Sequence, residues 1–437
     1  MAVIRQRPAI LQGEPIRRRE WPKWPRADAD TQRHVLDVLH SSKWTLTGRS
    51  QRSWSYEERF AGAFASYIGR KYCVPCANGS AGLTLALLAM GIGFGDEVIV
   101  AGLTWVACAS SVCYVNAIPK IVDVDARSLC IDVATIDAAI TPRTRAVIAP
   151  HMYAGRVNAR AIEALCRQRN IVLIEDASQA HGATVHGQRA GTYGDVSIFS
   201  MQQTKLLSSG EGGACLTDDG NVAAKLEQLR ADGRRRALCS DAGERFPKMV
   251  EAGEVMGRNY CLSEFHAAIL VARLPRLDEE NAYRRKNAQR LAALISQIDG
   301  VTMGQDDGLE ADGAVFYKLP LQLSLDGKPT LDPLIAARAL TAELNLPVGT
   351  LDRPLDDNPL YRPHTASQVA ALPIASRLLD PKQFHLPNAW LAWSDRVALP
   401  HSALLGDETD LHDIVEAIDK IIAWRTELAE IGSESRR

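Results

Sequence analysis

Four short polar segments, each directly after an apolar run, contain residue types that can do chemistry together. The first segment, NGSA at 78–81, precedes a predicted helix. Small residues at a helix N-terminus expose backbone N–H groups, and the helix dipole there favours an anion. The segment also fits a plain helix cap, because it lacks both the lysine of a P-loop and the spacing of a dinucleotide-binding loop.

The second segment contains Trp105, and the third begins with Glu175 and Asp176. A tryptophan just beyond a buried strand either joins the core or offers a flat platform to an aromatic ring. A carboxylate that closes an apolar strand is costly without a partner, and a protonated pyridine would be such a partner. A helix N-cap is the alternative role for Asp176.

The fourth segment runs from Ser200 through Lys205 to the glycine-rich GEGG at 210–213. A lysine that loses solvent after a buried strand becomes nucleophilic, although a surface lysine with an exposed tip is the alternative. An anion cradle, an aromatic platform, a buried aspartate and a lysine together predict a pyridoxal phosphate site. There the lysine holds the cofactor as a Schiff base, and the aspartate keeps the pyridine nitrogen protonated so that the ring accepts electrons.

The elements that must position these segments alternate between apolar runs and helical stretches. Strands are predicted at 72–76, 97–101, 120–124, 146–150, 171–175, 195–200 and 214–217. Helices are predicted between several of them, for example at 81–90, 159–168 and 221–230. Strands that are apolar on both faces and separated by helices indicate a mainly parallel sheet that is covered on both sides. Ligands sit at the carboxyl ends of the strands in such sheets.

The chain divides into an irregular N-terminal segment at 1–30, a large domain at 31–280 and a smaller α+β C-terminal domain at 281–437. The large domain is expected to begin with a helix at 31–40, followed by a helix that opens with a capping box at Ser55 and Glu58 and stops at Gly69. The smaller domain is expected to contain the following elements: a strand at 315–323, helices at 333–344 and 410–431, and an irregular polar stretch at 354–377.

Composition excludes several classes of protein. The chain has 437 residues, a formal net charge of −2 and 46% hydrophobic residues. This balance gives no electrostatic reason to expect nucleic acid or an anionic membrane as a partner. No apolar run reaches the length of a membrane span, and the N-terminus lacks the apolar core of a secretory signal. Nine cysteines, an odd number, indicate reduced thiols in a cytoplasmic protein, and Cys73 and Cys76 are expected to be strand residues with no metal bound.

Five segments between residues 78 and 265 resemble the DegT/DnrJ/EryC1/StrS sugar aminotransferases, a fold-type-I pyridoxal phosphate family. They are NGSAGL, AGLTWVACAS, IEDASQAHGA, SIFSMQQTKLLSSGEGG and GRNYCLSEF, in the order and spacing of the family. The resemblance implies a seven-stranded, mainly parallel sheet in a large domain, a smaller α+β domain, and a homodimer with shared active sites. It also implies a transaminase.

The resemblance assigns ring contacts to four residues. Lys205 would form the Schiff base and Asp176 would pair with the pyridinium. Trp105 would stack on the ring, and Gln179 would lie near its phenolic oxygen. The lysine also argues against the sugar-dehydrating members of the family, which carry histidine at this position.

The phosphate contacts follow in the same way. Gly79, Ser80 and Ser200 would hold the phosphate within one subunit, and Asn259 would reach it from the neighbouring subunit. A turn residue that satisfies its own backbone is the alternative for Asn259. His181 is either a cofactor contact or a structural histidine, and the arginines at 234–236 are either a solvated face or a site for a donor carboxylate.

REWPKWP near the start, MQQTKLLSSGEGG and GRNYCLSEFHAAIL are similar to the L-glutamine:scyllo-inosose aminotransferase branch. That branch implies transfer of an amino group from L-glutamine or glutamate to a keto-cyclitol such as scyllo-inosose, in aminocyclitol antibiotic biosynthesis. A nucleotide-linked keto-sugar is the alternative acceptor. An enzyme like 3-amino-5-hydroxybenzoate synthase is a further alternative, and a non-catalytic cofactor-binding regulator is disfavoured because every catalytic part is present.

Overall fold

The computed structural model describes residues 6–46, 54–236, 249–304, 313–325, 328–371 and 373–434. The strands are β1 (Tyr72–Cys76), β2 (Glu97–Ala101), β3 (Ile118–Val122), β4 (Thr144–Pro150), β5 (Val172–Asp176), β6 (Thr184–Val185), β7 (Gln188–Arg189), β8 (Val196–Ser200), β9 (Gly213–Thr217), β10 (Arg234–Arg236), β11 (Met249–Glu251), β12 (Val301–Met303), β13 (Lys318–Leu325), β14 (Lys328–Pro329), β15 (Gly349–Thr350) and β16 (Arg396–Pro400). The α-helices are α1 (Ala29–Ser41), α2 (Tyr56–Ile68), α3 (Gly79–Ala89), α4 (Ala107–Tyr114), α5 (Val133–Ala139), α6 (Ala159–Arg169), α7 (Gly220–Leu229), α8 (Glu264–Arg273), α9 (Leu277–Ile295), α10 (Pro333–Leu344), α11 (Ser367–Ala370), α12 (Pro373–Leu378), α13 (Pro387–Asp395), α14 (Glu408–Ala423) and α15 (Arg425–Glu434).

The largest sheet has seven strands in the order β1-β9-β8-β5-β4-β2-β3. The pairs from β3 to β8 are parallel, whereas β9 runs antiparallel to both β8 and β1. The predicted fold class, a mainly parallel seven-stranded sheet, is therefore confirmed. The capping box that opens α2 is also present, with Ser55 and Glu58 bonding reciprocally.

Both faces of this sheet are buried. Ile198 and Cys215 pack into one apolar cluster with helices α3 to α6, while Phe199 and Leu216 pack into another with α2 and α8. Successive side chains of a strand point to opposite faces, so these neighbours show that helices cover the sheet on both sides. This double burial explains why the strands read as continuous apolar runs.

The register of the sheet brings the predicted site segments to one edge. Asp176 and Ser200 close two parallel, neighbouring strands, β5 and β8. Gly213 pairs with Ser200 on one side and with Cys76, the last residue of β1, on the other. The N-terminus of α3 therefore lies beside the end of β8, although more than a hundred residues separate the two in the chain.

Some boundaries differ from the prediction. Strand β3 lies two residues before the expected 120–124, because Asp123 turns out of the sheet and accepts hydrogen bonds from the amides of Asn388 and Ala389 at the start of α13. The helix predicted at 410–431 is interrupted at Trp424, which separates α14 from α15. The stretch expected to be irregular at 354–377 contains the short helices α11 and α12.

A second, antiparallel sheet follows in the order β12-β13-β16-β15, with β14 on β13. Its apolar face packs with α9, α10 and α14 into a separate core. The proposed domain boundary at residue 280 falls inside α9, so the division of the chain into 31–280 and 281–437 stays a prediction. Among the described residues, no helix is long and apolar enough to cross a membrane.

The second sheet and the helices packed on it, α9, α10 and α14, form the second unit of the fold. The N-terminal segment is fastened to this second unit. The buried carboxylate of Glu343 on α10 accepts hydrogen bonds from the amides of Ala9 (2.7 Å) and Ile16 (3.1 Å), and it pairs with Lys420 at 2.9 Å. Arg17, also buried, pairs with Asp410 and with Asp413 of α14. Removing one member of such a buried ionic network leaves an uncompensated charge, which is strongly destabilising.

Candidate active site

A cavity of about 550 Å³ lies at the carboxyl edge of the seven-stranded sheet. Its volume falls in the range of cofactor and small-molecule sites. Seven of the eight predicted site residues line it: Gly79, Ser80, Trp105, Asp176, Gln179, Ser200 and Lys205. The edge therefore assembles the four polar segments that the sequence singled out.

The N-terminus of α3 forms one end of the cavity. The side chain of Asn78 caps the helix by accepting a hydrogen bond from the Ala81 amide at 2.8 Å. A Cβ on Gly79 would lie 2.8 Å from Cβ of Ser200, and one on Gly213 would lie 2.5 Å from the backbone of Asn78. Only glycine fits at both positions, and this close approach places the Ser200 hydroxyl beside the first N–H groups of the helix. The end of the cavity is suited to bind a phosphate group.

Asp176 forms the floor of the cavity and is 8% exposed. One carboxylate oxygen accepts a hydrogen bond from the Ser178 amide (3.0 Å), and the other accepts one from the thiol of Cys108 (3.3 Å). Burial, followed by the Asp176 charge, raises the pKa of the Cys108 thiol well above its usual value, so the thiol stays protonated and donates. With one donor on each oxygen, the carboxylate retains acceptor capacity for a cationic partner.

The preceding residue, Glu175, has a different, structural role. Its fully buried carboxylate accepts hydrogen bonds from the amides of Gly191, Tyr193 and Gly194, and His151 contacts it at 3.1 Å. Burial acts to raise the pKa of Glu175, but His151 and the amides outweigh it and the pKa is lowered. The ionised Glu175 fixes the loop that leads into β8.

Gln179 is oriented by the backbone of Tyr153. The amide N–H of Tyr153 donates to Gln179 Oε1 at 2.7 Å, so the side-chain NH2 of Gln179 is the group left to donate to a ligand. Tyr153 has a positive φ of 60°, a conformation that costs an aromatic residue about 1–3 kcal/mol. Its hydroxyl donates to Asp352 Oδ2 (2.9 Å) and accepts from the Asp352 amide (2.8 Å), which joins the loop after β4 to the loop after β15 at the cavity.

Trp105 forms part of the wall and is 53% exposed in the single chain. It follows the buried Thr104 and precedes α4. A large aromatic side chain this exposed beside a cavity is available to pack against a planar ligand. The alternative, a core tryptophan, is wrong.

Lys205 lies on a tight turn after β8, with its amide donating to the Gln202 carbonyl at 2.8 Å. Its ammonium group lies 4.2 Å from the centre of the Tyr317 ring, a cation–π contact. In the part of the chain that the structure describes, Lys205 Nζ makes no hydrogen bond or ion pair. The amine is thus held at the cavity without a charged partner.

Three side chains fix the turn that carries Lys205. The hydroxyl of Tyr317 lies 3.0 Å from Thr204 Oγ1, and His401 Nε2 donates to the Thr204 carbonyl at 3.0 Å. The indole of Trp24 donates to the Gln203 carbonyl at 3.1 Å and packs edge-on against His401. The turn is therefore held by residues from both ends of the chain.

Asn259 is the predicted site residue that does not line the cavity. It is exposed, and its side chain accepts a hydrogen bond from the Cys261 amide at 3.3 Å. The next residue, Tyr260, accepts a hydrogen bond from the Ala77 amide at 2.8 Å, so the segment lies just outside the phosphate end. Its contribution to a neighbouring subunit stays a prediction.

His181 and the arginines at 234–236 do not line the cavity. His181 is fully buried and packs against Phe199, with ring centres 5.3 Å apart. Burial, followed by the Lys205 charge, lowers the pKa of His181 to about 3. Arg236 is not on a solvated face, because it pairs with Glu57 (3.1 Å) and Glu58.

The sequence did not single out several residues of the cavity. Those from the second unit are Tyr317, Lys318 and Asp352, and those from the first include Cys108, His151 and Glu211. Lys318 could have been found from the sequence by one signal: it is a polar residue within the apolar run VFYKL. Within the described ranges, no three His, Cys, Asp or Glu side chains are grouped in a way that could hold a metal ion.

The chain is similar to known aminotransferases over most of its length. Residues 25–419 match the profile of the DegT/DnrJ/EryC1/StrS aminotransferase family. The chain is 42% identical to the L-glutamine:2-deoxy-scyllo-inosose aminotransferase of Streptoalloteichus tenebrarius, over 96% of this chain and 98% of that protein. It is 41% identical to the L-glutamine:scyllo-inosose aminotransferase of Streptomyces griseus, over 95% of this chain and 97% of that protein.

A solved structure agrees with the fold. The crystal structure of 3-amino-5-hydroxybenzoic acid synthase superimposes with a TM-score of 0.76 at 28% sequence identity. The superposition covers 93% of this chain and 99% of the synthase. Both the large parallel sheet and the smaller second unit are therefore included in the match.

Proposed function

The chain belongs to the DegT/DnrJ/EryC1/StrS aminotransferase family, and we propose that it transfers an amino group from L-glutamine, or glutamate, to a keto-cyclitol such as scyllo-inosose. The chain is an aminotransferase, and its place would be in aminocyclitol antibiotic biosynthesis. The observation that carries the proposal is the full-length similarity, at 41–42% identity, to enzymes named for this transfer. The cavity around Lys205 is where the transfer would occur.

Pyridoxal phosphate is the proposed cofactor, and the residues of the cavity fit it. Gly79, Ser80 and Ser200 would hold the phosphate at the N-terminus of α3. The backbone is closely packed there, because a Cβ on Gly79 would clash with Ser200. Asp176 would accept a hydrogen bond from the protonated pyridine nitrogen and so keep that nitrogen protonated, and the NH2 group of Gln179 would donate to the phenolic oxygen. Trp105 would cover one face of the ring. When bound, the cofactor supplies an electron sink that makes the α-proton of an amino acid acidic.

Lys205 would move that proton. Its amine is placed against Tyr317 on a turn fixed by Thr204, so it approaches the cavity from one defined direction. A base must lie within hydrogen-bond reach of the proton that it abstracts, and a tight turn satisfies this better than a mobile loop. The same amine would return the proton to the neighbouring position. Water would then supply the keto oxygen as the bond between the donor carbon and its nitrogen breaks, so the donor leaves as a keto acid and its amino group remains for the acceptor.

Two closely related acceptors fit the proposal. Scyllo-inosose and its 2-deoxy form differ by one ring hydroxyl, and identities of 41% and 42% do not favour either. Discrimination at one hydroxyl comes from a buried polar group that is left unpaired, which costs about 1–3 kcal/mol.

We further propose a homodimer in which Asn259 reaches the phosphate of the neighbouring subunit. Its neighbour Tyr260 accepts a hydrogen bond from the Ala77 amide, at the outer side of the phosphate end, and this position supports the proposal. A cytoplasmic location is supported by eight cysteines that are free thiols in the described residues.

The test is a comparison of kcat/KM for keto-cyclitols and for nucleotide-linked keto-sugars, with L-glutamine as the donor for both. We expect scyllo-inosose or its 2-deoxy form to be preferred. A tenfold preference for the nucleotide sugar, about 1.4 kcal/mol in the transition state, would replace the cyclitol with the nucleotide sugar as the acceptor. The absence of transfer to either class from any amino donor would contradict the proposed activity itself.

A further inference from the structure

We propose that Lys318 binds the α-carboxylate of the amino donor and thereby distinguishes the donor from the acceptor. This inference rests on the proposed function, because it assigns one residue of the same cavity to one of the two substrates. It concerns binding and orientation only. Lys318 takes no part in moving a proton.

Lys318 is the first residue of β13 and lines the cavity from the second unit. Its ammonium group lies 5.8 Å from the centre of the Tyr153 ring and 5.9 Å from that of Tyr317. Aromatic faces at this distance hold a cation without occupying its N–H donors. Over the described residues, Lys318 forms no ion pair with a carboxylate, so its donors remain for a ligand.

The second cation of the cavity has a different use. Lys205 contacts the same ring, Tyr317, at 4.2 Å, so both ammonium groups flank one aromatic side chain. Lys205 would hold the cofactor, and the amine of the donor would take the place of the Lys205 amine. An α-carboxylate is bonded to the carbon that carries that amine, so a cation close to Lys205 is placed for it.

The remaining basic side chain of the described lining is already engaged. His151 Nδ1 accepts a hydrogen bond from the Val157 amide at 3.2 Å, and its Nε2 contacts Glu175 at 3.1 Å. Both ring nitrogens therefore face protein. Lys318 is left as the cation that can receive an anionic substrate group.

The two substrates of the proposed reaction differ in charge. L-Glutamine carries a carboxylate, whereas a keto-cyclitol carries none. The two substrates must use one cavity in turn. A cation beside the reacting carbon therefore strengthens the binding of the donor and leaves the binding of the cyclitol unchanged. A hydrogen bond between charged groups is worth about 1.5–3 kcal/mol, or roughly tenfold to a hundredfold in affinity.

Binding tests this without turnover. Glutaramate is glutamine without its α-amine, and glutaramide replaces its carboxylate with a neutral amide. By calorimetry on the holoenzyme, we expect glutaramate to bind about tenfold or more tightly than glutaramide. In Lys318→Met that preference should disappear, and in Lys318→Arg it should be retained in part. Equal binding of the two ligands to the unmodified protein, or an unchanged preference in Lys318→Met, would overturn the inference.

Half-reactions separate carboxylate binding from a merely structural role. With L-glutamine below saturation, Lys318→Met should slow the donor half-reaction by about tenfold, while the rate with the keto-cyclitol stays within about twofold. Lys225→Met, which removes an exposed lysine on α7, is the matched control and should change neither rate. Equal slowing of both half-reactions in Lys318→Met would show that Lys318 has a structural role and would overturn the inference. A raised KM for a nucleotide sugar alone would show that Lys318 binds a diphosphate and would overturn it as well. If the unmodified holoenzyme transfers no amino group at all, the proposed function fails rather than this assignment.

Discussion

The indole Nε1 of Trp24 donates a 3.1 Å hydrogen bond to the backbone carbonyl of Gln203, two residues before Lys205. Trp24 belongs to the N-terminal segment that Glu343 and Lys420 fasten to the second unit. The segment therefore reaches from that unit to the turn that carries the proposed catalytic lysine. This contact gives a structural role to the WPKWP sequence, which lies far from the cavity residues in the chain.

Loss of this bond should loosen the lysine turn. In Trp24→Phe an aromatic ring remains but the N–H donor is lost. We expect kcat to fall by about two- to tenfold, because the free energy of one hydrogen bond is lost, and we expect KM to change little. Trp21→Phe is the matched control, because its indole donates to the Leu344 carbonyl at 2.7 Å, away from the turn. Steady-state kinetics of the two variants test whether the Trp24 hydrogen bond fixes the turn of Lys205. An equal fall in kcat for both variants would refute this role.

Lys205 should be the residue that carries the cofactor. The loaded protein should absorb visible light, and reduction with borohydride should fix the cofactor on Lys205, which peptide mass mapping would locate. Lys205→Ala should lower turnover by about a thousandfold or more, since a nucleophile and base is lost, while the fold is kept. Lys225→Ala should retain activity. A label found on another lysine would refute the assignment.

Asn259 should act across subunits. Mixing Lys205→Ala with Asn259→Ala should restore about a quarter of the unmodified activity, because half of randomly mixed dimers are hybrids with one intact site of two. If both residues served the same subunit's site, each site of a hybrid would carry one defect and no activity would return. Subunit exchange, followed with two different tags, must be complete before the absence of recovery is counted against the shared site.

His181 should make the protein sensitive to acid. Its pKa is lowered to about 3 in the folded protein, by burial first and by Lys205 second, against an unfolded value near 6.5. Between these values the unfolded chain binds the extra proton, so folding stability falls as the pH falls below about 6.5. The loss at pH 5 relative to pH 7 is about 2 kcal/mol.

Thermal unfolding at the two pH values measures this effect. His181→Gln should lose less stability than the unmodified protein on acidification. His412→Gln, which removes an exposed histidine on α14, should lose as much as the unmodified protein. An identical pH dependence for His181→Gln and the unmodified protein would contradict the prediction.

The cavity could be predicted from the sequence where it depends on the ends of parallel strands. Asp176 and Ser200 close apolar runs in neighbouring parallel strands, and the carboxyl ends of such strands meet at one edge. Tyr317, Lys318 and Asp352 could not be predicted, because they come from the second unit and no local pattern says which of its residues faces the sheet.

The same limit explains smaller differences. The end of β3 depends on Asp123, whose carboxylate binds the N-terminus of α13, more than 250 residues later. Arg236 reads as a surface residue within a basic run, but it is held by Glu57 on α2. The role proposed for Asn259 depends on a second copy of the chain. Each case is a long-range contact that local propensity does not encode.

The central claim is that the cavity around Lys205 transfers the α-amino group of L-glutamine to a keto-cyclitol. The most direct measurement supplies the holoenzyme with scyllo-inosose and L-glutamine that carries a heavy-nitrogen label in its α-amine, and then determines the mass of the product. The account predicts an aminocyclitol that contains the label, none of it with Lys205→Ala, and no transfer from glutamine labelled only in its side-chain amide. An aminocyclitol without the label from the unmodified enzyme, no aminocyclitol at all, or a label that arrives from the side-chain amide would contradict the account.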